Sequence, residues 1–139
     1  MTALITASCI IKIEFYDIDS MNIVWHGNYP KFLERARSEL LNIINYNYFE
    51  MYASGYTWPV VDLRIKYIKP IALQQEIVVE ARLIEFENRL KIDYCIYDKQ
   101  KKEILSKATS IQVAVKVDNN YLELETPEIF QAKVKEIII

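Results

Sequence analysis

The chain of 139 residues is short of glycine, histidine and cysteine, and each shortage excludes a class of site. It has two glycines, Gly27 and Gly55, where average usage gives roughly ten, so neither a glycine-rich dinucleotide fingerprint nor a P-loop can be formed. Its single histidine, His26, excludes a multi-histidine metal site. Cys9 and Cys95 lie far apart without a CxxC partner, so neither a zinc site nor a disulfide framework is expected.

Charge and hydropathy narrow the expected partners further. Lys and Arg number 17 against 19 Asp and Glu, which gives a net charge of −2. Nucleic-acid binding is driven by a basic face, and this balance does not supply one. No apolar run reaches the length of a membrane span, and the N-terminus lacks the basic segment of a signal peptide. We therefore expect a single cytoplasmic domain over residues 1–139, without a membrane span or a nucleic-acid partner.

The spacing of apolar residues predicts one long helix among strands. Apolar residues at intervals of three and four form a single stripe over residues 29–44, with Asn28 as the predicted N-cap and Pro30 in the first turn. Period-two alternation predicts strands over residues 11–16, 61–67, 77–83 and 90–96, and a final strand that begins near Ile104. In that last strand the residues predicted to face the core are Ile111, Val113, Val115 and Val117.

Two further helical segments and the order of elements complete the predicted fold. A short helix is expected within residues 46–56, ending near Gly55, and the tail over residues 118–139 is expected to become helical at Thr126-Pro127-Glu128. The order strand, long helix, four antiparallel strands and tail predicts a curved sheet whose apolar face is covered by the helix. Because such a sheet leaves open edges, a homo-oligomer is expected.

The segment DIDSMNIVWHGNY, residues 17–29, is the part of the chain best suited to chemistry. It leaves a strand, carries the carboxylates of Asp17 and Asp19, and leads into the N-terminus of the long helix. Free backbone N–H groups and the helix dipole there favour developing negative charge, and a nearby carboxylate can act as a base or nucleophile on an acyl group. The alternative is structural: D-x-D forms a solvated turn, His26 caps the helix and Trp25 packs. Spacing alone leaves both interpretations open.

The same segment, followed by FLERAR at residues 32–37, resembles the hotdog-fold thioesterases of the 4-hydroxybenzoyl-CoA thioesterase family. Trp58-Pro-Val-Val-Asp62 and Tyr67-Ile-Lys-Pro70 fit the same layout, and the resemblance covers about residues 8 to 117. It implies an α+β hotdog fold, in which about five antiparallel strands wrap around one long central helix. It also implies hydrolysis of an acyl-CoA or acyl-carrier-protein thioester by a homodimer or homotetramer.

The resemblance assigns roles to individual residues. Asp19 matches the family's catalytic carboxylate, and the backbone N–H of His26 would hold the thioester carbonyl. Thr57 or Trp58 would supply a second N–H donor. The remaining expected contacts to substrate or to the helix entry involve Asn28, Tyr29, Arg89 and Lys91. Asp17 is expected to shape the loop. No metal or organic cofactor is expected, since coenzyme A is part of the substrate.

Two other functions fit the same fold. A hydroxyacyl-thioester dehydratase would pair His26 with an acid on the helix, Glu34, although the proline-rich segment that follows the histidine in those enzymes is absent here. A non-catalytic acyl-binding protein would use the tyrosine-rich stretch over residues 46–56 as a pocket wall. Glu34 is also the alternative base for a thioesterase.

Overall fold

The computed structural model describes residues 3–138 and has a five-stranded antiparallel sheet with one long helix packed against it. The strands of the described residues are β1 (Ile5–Lys12), β2 (Tyr56–Thr57), β3 (Val60–Tyr67), β4 (Glu76–Glu85), β5 (Leu90–Asp98), β6 (Ile104–Gln112) and β7 (Val115–Lys116). The α-helices in this part of the chain are α1 (Tyr29–Ile44), α2 (Tyr48–Ala53) and α3 (Glu128–Ile138). The main sheet has the order β1-β4-β5-β6-β3, and β2 pairs with β7 separately.

Helix α1 covers the inner face of the sheet as the sequence predicts, with the predicted bounds. All seven residues of its apolar stripe are buried, and it packs mainly on β1 and β4. The chain leaves α1 through Asn45, whose φ of 64° is left-handed, and α2 ends before Gly55, whose φ is 93°. The α+β hotdog architecture expected from the sequence is therefore confirmed. Its assignment as a single domain over residues 1–139 stays a prediction.

The first strand lies earlier than predicted. It spans Ile5–Lys12 and pairs with β4 along its whole length, whereas Phe15–Asp17 forms a 3-10 turn with Phe15 and Tyr16 exposed. The inward positions include Ala7 and Cys9, whose small side chains give a weak alternation in sequence. The prediction of a strand over residues 11–16 is therefore wrong except at its beginning.

The buried face of β6 is the one opposite to the predicted face. It carries several polar side chains. Its buried residues include Ser106, Ser110 and Gln112, each with a hydrogen-bonded side chain. Those hydrogen bonds lower the cost of burying these polar side chains. The predicted core positions Ile111, Val113, Val115 and Val117 are only half-buried or exposed, and the strand ends at Gln112.

Strand β3 forms an open edge of the main sheet. Its only strand partner within residues 3–138 is β6, and large apolar side chains along it are exposed. Val61 is 58% exposed and Tyr67 49% exposed. An exposed edge with apolar side chains is a template for pairing with another strand.

Candidate active site

The loop between β1 and α1 is organised by Asp17. This residue is buried, and its Oδ2 accepts a hydrogen bond from the backbone N–H of Glu14 at 2.9 Å. Its backbone carbonyl accepts from the N–H of Trp25 at 3.0 Å and from Nδ2 of Asn28 at 2.8 Å. Asp17 therefore has contacts that suit the loop-shaping role expected of it. The predicted N-cap bond of Asn28 does not form, because its side chain points back to that carbonyl.

Asp19 is the first residue of a tight turn that leaves its carboxylate partly free. Its Oδ1 accepts from the N–H of Met21 at 2.8 Å, and its backbone N–H donates to the carbonyl of Ile23 at 2.9 Å. Asn22 has a left-handed φ of 64° and closes the turn with an N–H bond to the Asp19 carbonyl. Within residues 3–138, Oδ2 of Asp19 has no hydrogen-bond partner, so it is free to contact a ligand.

The N-terminus of α1 extends one turn earlier as a 3-10 turn over His26–Asn28. In the described part of the chain, the backbone N–H groups of His26 and Gly27 donate no hydrogen bond. Unpaired N–H groups at a helix N-terminus, together with the helix dipole, form a site for negative charge. This arrangement can stabilise an oxyanion.

Asp19, His26 and Tyr29 line one cavity of about 440 Å³. Its other lining residues are Met21, Ile23, Val24, Tyr67, Ile68, Lys69 and Pro70. The hydroxyl of Tyr67 donates to the backbone carbonyl of His26 at 3.1 Å, and the rings of Tyr29 and Tyr67 meet edge-on with centroids 4.6 Å apart. Burial, with a further contribution from Tyr67, raises the pKa of Tyr29 to about 12, so its hydroxyl stays protonated at neutral pH.

Tyr67 is the contact that sequence reasoning missed. The sequence places it in the alternation of a strand and in the Tyr67-Ile-Lys-Pro70 segment of the family resemblance, but its position 41 residues after His26 gives no local signal of their hydrogen bond. Ile68, Lys69 and Pro70, which follow the end of that strand at Tyr67, also line the cavity.

Thr57 and Trp58 do not line this cavity. Trp58 is buried against Tyr46 and Phe130, with ring centroids 6.0 and 5.0 Å away, and Thr57 is exposed in β2. Tyr46 follows the C-terminal end of α1, and a helix of 16 residues is about 24 Å long. Within one copy of the chain, Trp58 is therefore at the opposite end of the helix from His26.

Arg89 and Lys91 also lie away from Asp19. Arg89 leads into β5 and pairs through Nε with the carboxylate of Glu85 at 3.1 Å, and Lys91 is opposite Ile111. The sheet register aligns Leu90 with Val60 through Gln112. This is the end of the sheet near Trp58.

The same register aligns the other end of β5 with the cavity. Ile96 is aligned with Tyr67 through Ser106, and Tyr67 lines the cavity of Asp19. Thr57, Trp58, Arg89 and Lys91 thus share one end of the molecule, while Asp19, His26 and Tyr29 share the other.

Comparisons with known proteins agree with this architecture. The family model described as the thioesterase superfamily matches residues 21–105. YneP of Bacillus subtilis (strain 168), which is assigned as an acyl-CoA thioesterase, is 31% identical over 106 residues, covering 76% of each chain. A chloroplastic acyl-acyl carrier protein thioesterase of Arabidopsis thaliana is 27% identical over 124 residues, covering 88% of this chain but only 64% of the relative.

A solved structure has the same fold over nearly the whole chain. Slr0204, a 1,4-dihydroxy-2-naphthoyl-CoA thioesterase from Synechocystis, has a TM-score of 0.84 and 16% sequence identity, covering 95% of this chain and 97% of that one. Among the helices within residues 3–138, none combines the length and apolar content that crossing a bilayer requires. The matched family model covers more than half of the chain and includes the loop of His26 and the whole of α1. The chain belongs to the thioesterase superfamily and is a hotdog-fold thioester hydrolase.

Proposed function

We propose that this protein hydrolyses acyl-CoA or acyl-carrier-protein thioesters, with Asp19 as the catalytic carboxylate and the backbone N–H of His26 in the oxyanion hole. The observation that carries the proposal is that Asp19 and the N-terminal turn of α1 line one cavity. One carboxylate and one oxyanion site suffice for a thioester, because its thiolate is a good leaving group. The reaction requires no metal or organic cofactor.

The chemistry has two routes that use the same groups. In the first, Asp19 accepts a proton from water, the hydroxide attacks the thioester carbon, and the negative oxygen is held by the N–H of His26. The tetrahedral intermediate then expels the thiolate, which takes up the proton. In the second, Asp19 itself attacks, the thiolate leaves, and water hydrolyses the resulting mixed anhydride. Both end with a free acid and a free thiol.

The names of the relatives support both carriers of the acyl group. The Bacillus relative is assigned to acyl-CoA and the Arabidopsis relative to acyl carrier protein. Both carriers present the thioester at the end of a pantetheine arm, so the same cavity suits either. The cytoplasmic location remains a prediction.

We propose that the working form is a homodimer formed through β3. This edge strand has apolar residues that are unusually exposed for a sheet, including Val60, Val61, Leu63 and Tyr67. Pairing of β3 with the β3 of a second copy, antiparallel about a two-fold axis, would satisfy the free edge and cover these side chains. The arrangement is isologous and closed, so it does not propagate into fibres.

Such a dimer would also bring the Asp19 end of one copy close to the Trp58 end of the other copy. In the register that pairs the two strands along their full length, Val60 of the second copy would lie opposite Tyr67 of the first, which would place the second copy's Thr57 and Trp58 beside the first copy's cavity. A backbone N–H from that segment would serve as the second oxyanion donor. Arg89 and Lys91 of the second copy lie two strands further away, about 10 Å at the usual strand spacing, where the phosphates of coenzyme A could reach them.

The dehydratase alternative has less support than the thioesterase proposal. His26 lines the cavity of Asp19, whereas Glu34 lines a different cavity along α1 and lies 3.5 Å from Arg37. One copy of the chain does not assemble the histidine–acid pair, and the relatives that match the chain are named as thioesterases. A passive acyl binder would not need the free Oδ2 of Asp19 next to a helix N-terminus.

The experiment that tests the proposal is release of free thiol from a panel of thioesters. The panel contains short, long and aromatic acyl groups, each on coenzyme A and on acyl carrier protein, together with an enoyl thioester. Hydrolysis of at least one acyl thioester supports the proposal, and the preferred carrier identifies the natural one. Hydration of the enoyl thioester without thiol release, or binding without any turnover, would contradict it.

A further inference from the structure

The hydroxyl of Tyr67 connects the main sheet to the N-terminal turn of α1. Tyr67 is the last residue of β3, and its Oη donates at 3.1 Å to the backbone carbonyl of His26, the first residue of the 3-10 turn. Both residues line the cavity of Asp19. The bond therefore lies in the wall of the candidate active site, and it joins two segments that are distant in sequence.

The carbonyl that accepts this bond belongs to the same peptide unit as the N–H of Gly27. That peptide bond is trans, and in a planar trans unit the C=O and the N–H point in opposite directions. Fixing the direction of the His26 carbonyl therefore fixes the direction of the Gly27 N–H. The carbonyl also accepts from the N–H of Tyr29, so it points along α1, and the Gly27 N–H points out of the helix N-terminus.

Burial does not explain why the hydroxyl makes this bond. The His26 carbonyl already has a partner in the N–H of Tyr29, and Tyr67 is 49% exposed, so water can satisfy its hydroxyl. The contact of the Tyr67 ring with Tyr29 would be the same for a phenylalanine. What the hydroxyl adds is a second constraint on one peptide unit.

That peptide unit has few other constraints. His26 and Gly27 are both exposed, and within residues 3–138 neither N–H donates a hydrogen bond. Gly27 has no side chain to restrict rotation of its backbone. A carbonyl that accepts an additional hydrogen bond also polarises the N–H of its own peptide unit. The hydroxyl of Tyr67 should therefore both orient and strengthen the Gly27 donor.

The hydroxyl is itself held in position by aromatic contacts. The ring of Tyr67 meets that of Tyr29 edge-on with centroids 4.6 Å apart, and that of His26 nearly perpendicularly at 6.4 Å. Tyr29 is 3% exposed at the start of α1. The Tyr67 hydroxyl and the turn are thus fixed to the same helix end, which suits the preorganised donors that an oxyanion requires.

We propose that Tyr67 is a positioning residue of thioester hydrolysis. It holds the peptide unit between His26 and Gly27 so that the Gly27 N–H joins the His26 N–H in the oxyanion hole. This inference rests on the proposed function, because it needs an oxyanion at the N-terminus of α1. Tyr67 transfers no proton in the reaction and acts only through the backbone of the turn.

Tyr67→Phe tests the proposal because it removes the hydroxyl and retains the ring. Removal of one oxyanion donor lowers kcat by about a hundredfold to a thousandfold, so a donor that is present but poorly aligned should cost about tenfold to a hundredfold. KM should stay within about twofold of the wild-type value, because the oxyanion forms only after the substrate has bound. An unchanged kcat would overturn the proposal while leaving thioester hydrolysis intact.

The matched control is Tyr97→Phe, which removes the same atom from a tyrosine on the outer face of β5. It should keep the wild-type kcat. The pH profile then separates positioning from proton transfer. Wild type and Tyr67→Phe should have the same pH dependence of kcat/KM, since both retain the carboxylate of Asp19. Loss of one limb of the profile in Tyr67→Phe would show that the phenol itself transfers a proton, and would overturn the positioning role.

The carbonyl stretching frequency of a bound analogue gives a readout that does not depend on hydrolysis or on the folded fraction of a preparation. A coenzyme A thioether with a methylene between the sulfur and a ketone carbonyl cannot be hydrolysed. Infrared difference spectra should show a lower carbonyl frequency on wild type than in water, because the oxyanion donors polarise the carbonyl. Tyr67→Phe should lose part of that shift and Tyr97→Phe should keep it. Equal frequencies on wild type and Tyr67→Phe, or no shift or no binding with wild type, would overturn the proposal whether or not a thioester is turned over.

Discussion

The indole ring of Trp25 occupies the space that a side chain at position 27 would need. A Cβ added to Gly27 would lie 2.5 Å from two ring atoms of Trp25, a distance at which one of the two must move. Glycine at position 27 therefore allows the Trp25 ring to approach the backbone this closely. The contact holds the ring against the turn whose N–H groups we assign to the oxyanion hole.

Gly27→Ala should therefore disturb the site as well as the fold. We expect a loss of about 1–3 kcal/mol in the free energy of unfolding, which is typical of overpacking, and a lower kcat for thioester hydrolysis. Urea unfolding and steady-state kinetics measure the two effects. Trp25→Leu in the same chain removes the clashing ring atoms and should restore part of the lost stability. An unaltered Gly27→Ala protein would show that the loop is free to rearrange.

Phe130 anchors α3 to the rest of the molecule. It is fully buried against Tyr46 and Trp58, with ring centroids 5.5 and 5.0 Å away. Phe130→Ala should lower the free energy of unfolding by about 3–5 kcal/mol, the usual range for a buried phenylalanine. Ile129→Ala, at a neighbouring position that is 45% exposed, is the matched control. Similar stabilities of the two variants in chemical denaturation would mean that α3 is not docked in solution.

Asp98 should contribute to stability in a pH-dependent way. Hydrogen bonds from the backbone N–H of Lys101, the side chain of Gln75 and the N–H of Gln100 lower its pKa below the ordinary value. A lowered pKa means that the stabilisation is fully present above the ordinary value, about 3.9, and is lost as the pH falls through the folded-state pKa.

Asp98→Asn isolates this contribution. We expect the variant to be less stable than the wild type at pH 7, and the difference to shrink as the pH falls below about 4. Unfolding curves at several pH values measure it. A difference that stays constant down to the lowest pH would mean that the carboxylate's charge is not the cause.

Leu63→Lys tests the β3 dimer. Lysine on an edge strand opposes pairing with a second strand, so the variant should sediment with the mass of one chain and should lose most of its hydrolytic activity. Leu124→Lys, at a loop position that is 85% exposed, is the control and should behave as the wild type. A monomeric variant with full activity would show that one copy contains the whole site, and a wild-type monomer would remove the dimer altogether.

The sequence predicts the long helix and the order of the strands because those features depend on local periodicity. The stripe from Tyr29 to Ile44 identifies α1 without knowledge of its partners. Which face of β6 is buried depends instead on hydrogen bonds to residues that are distant in sequence. Ser110 is buried because its hydroxyl shares a hydrogen bond with the hydroxyl of Tyr94, and Gln112 because the Trp58 carbonyl accepts from its side chain. Alternation of apolar residues does not reveal such partners.

In the candidate site, too, the residues that are close in sequence were predicted and the distant contacts were not. Asp19, His26 and Tyr29 are close in sequence, so one motif identifies all three, and the structure gathers them in one cavity. Tyr67 reaches the same cavity from a distant strand, which the sequence did not indicate. The placement of Thr57 and Trp58 depends on a second copy, and no pattern within one chain specifies how two chains meet.

Thioester hydrolysis by Asp19→Asn tests the catalytic role of Asp19 directly. This change keeps the size of the side chain and removes its charge, so the turn can persist while the base or nucleophile is lost. We expect kcat to fall by at least about a hundredfold, as for removal of a general base, with an unfolding curve like that of the wild type. Asp118→Asn, at an exposed turn beyond β7, should retain wild-type kcat. Near-wild-type turnover by folded Asp19→Asn would contradict the assignment of Asp19 as the catalytic carboxylate.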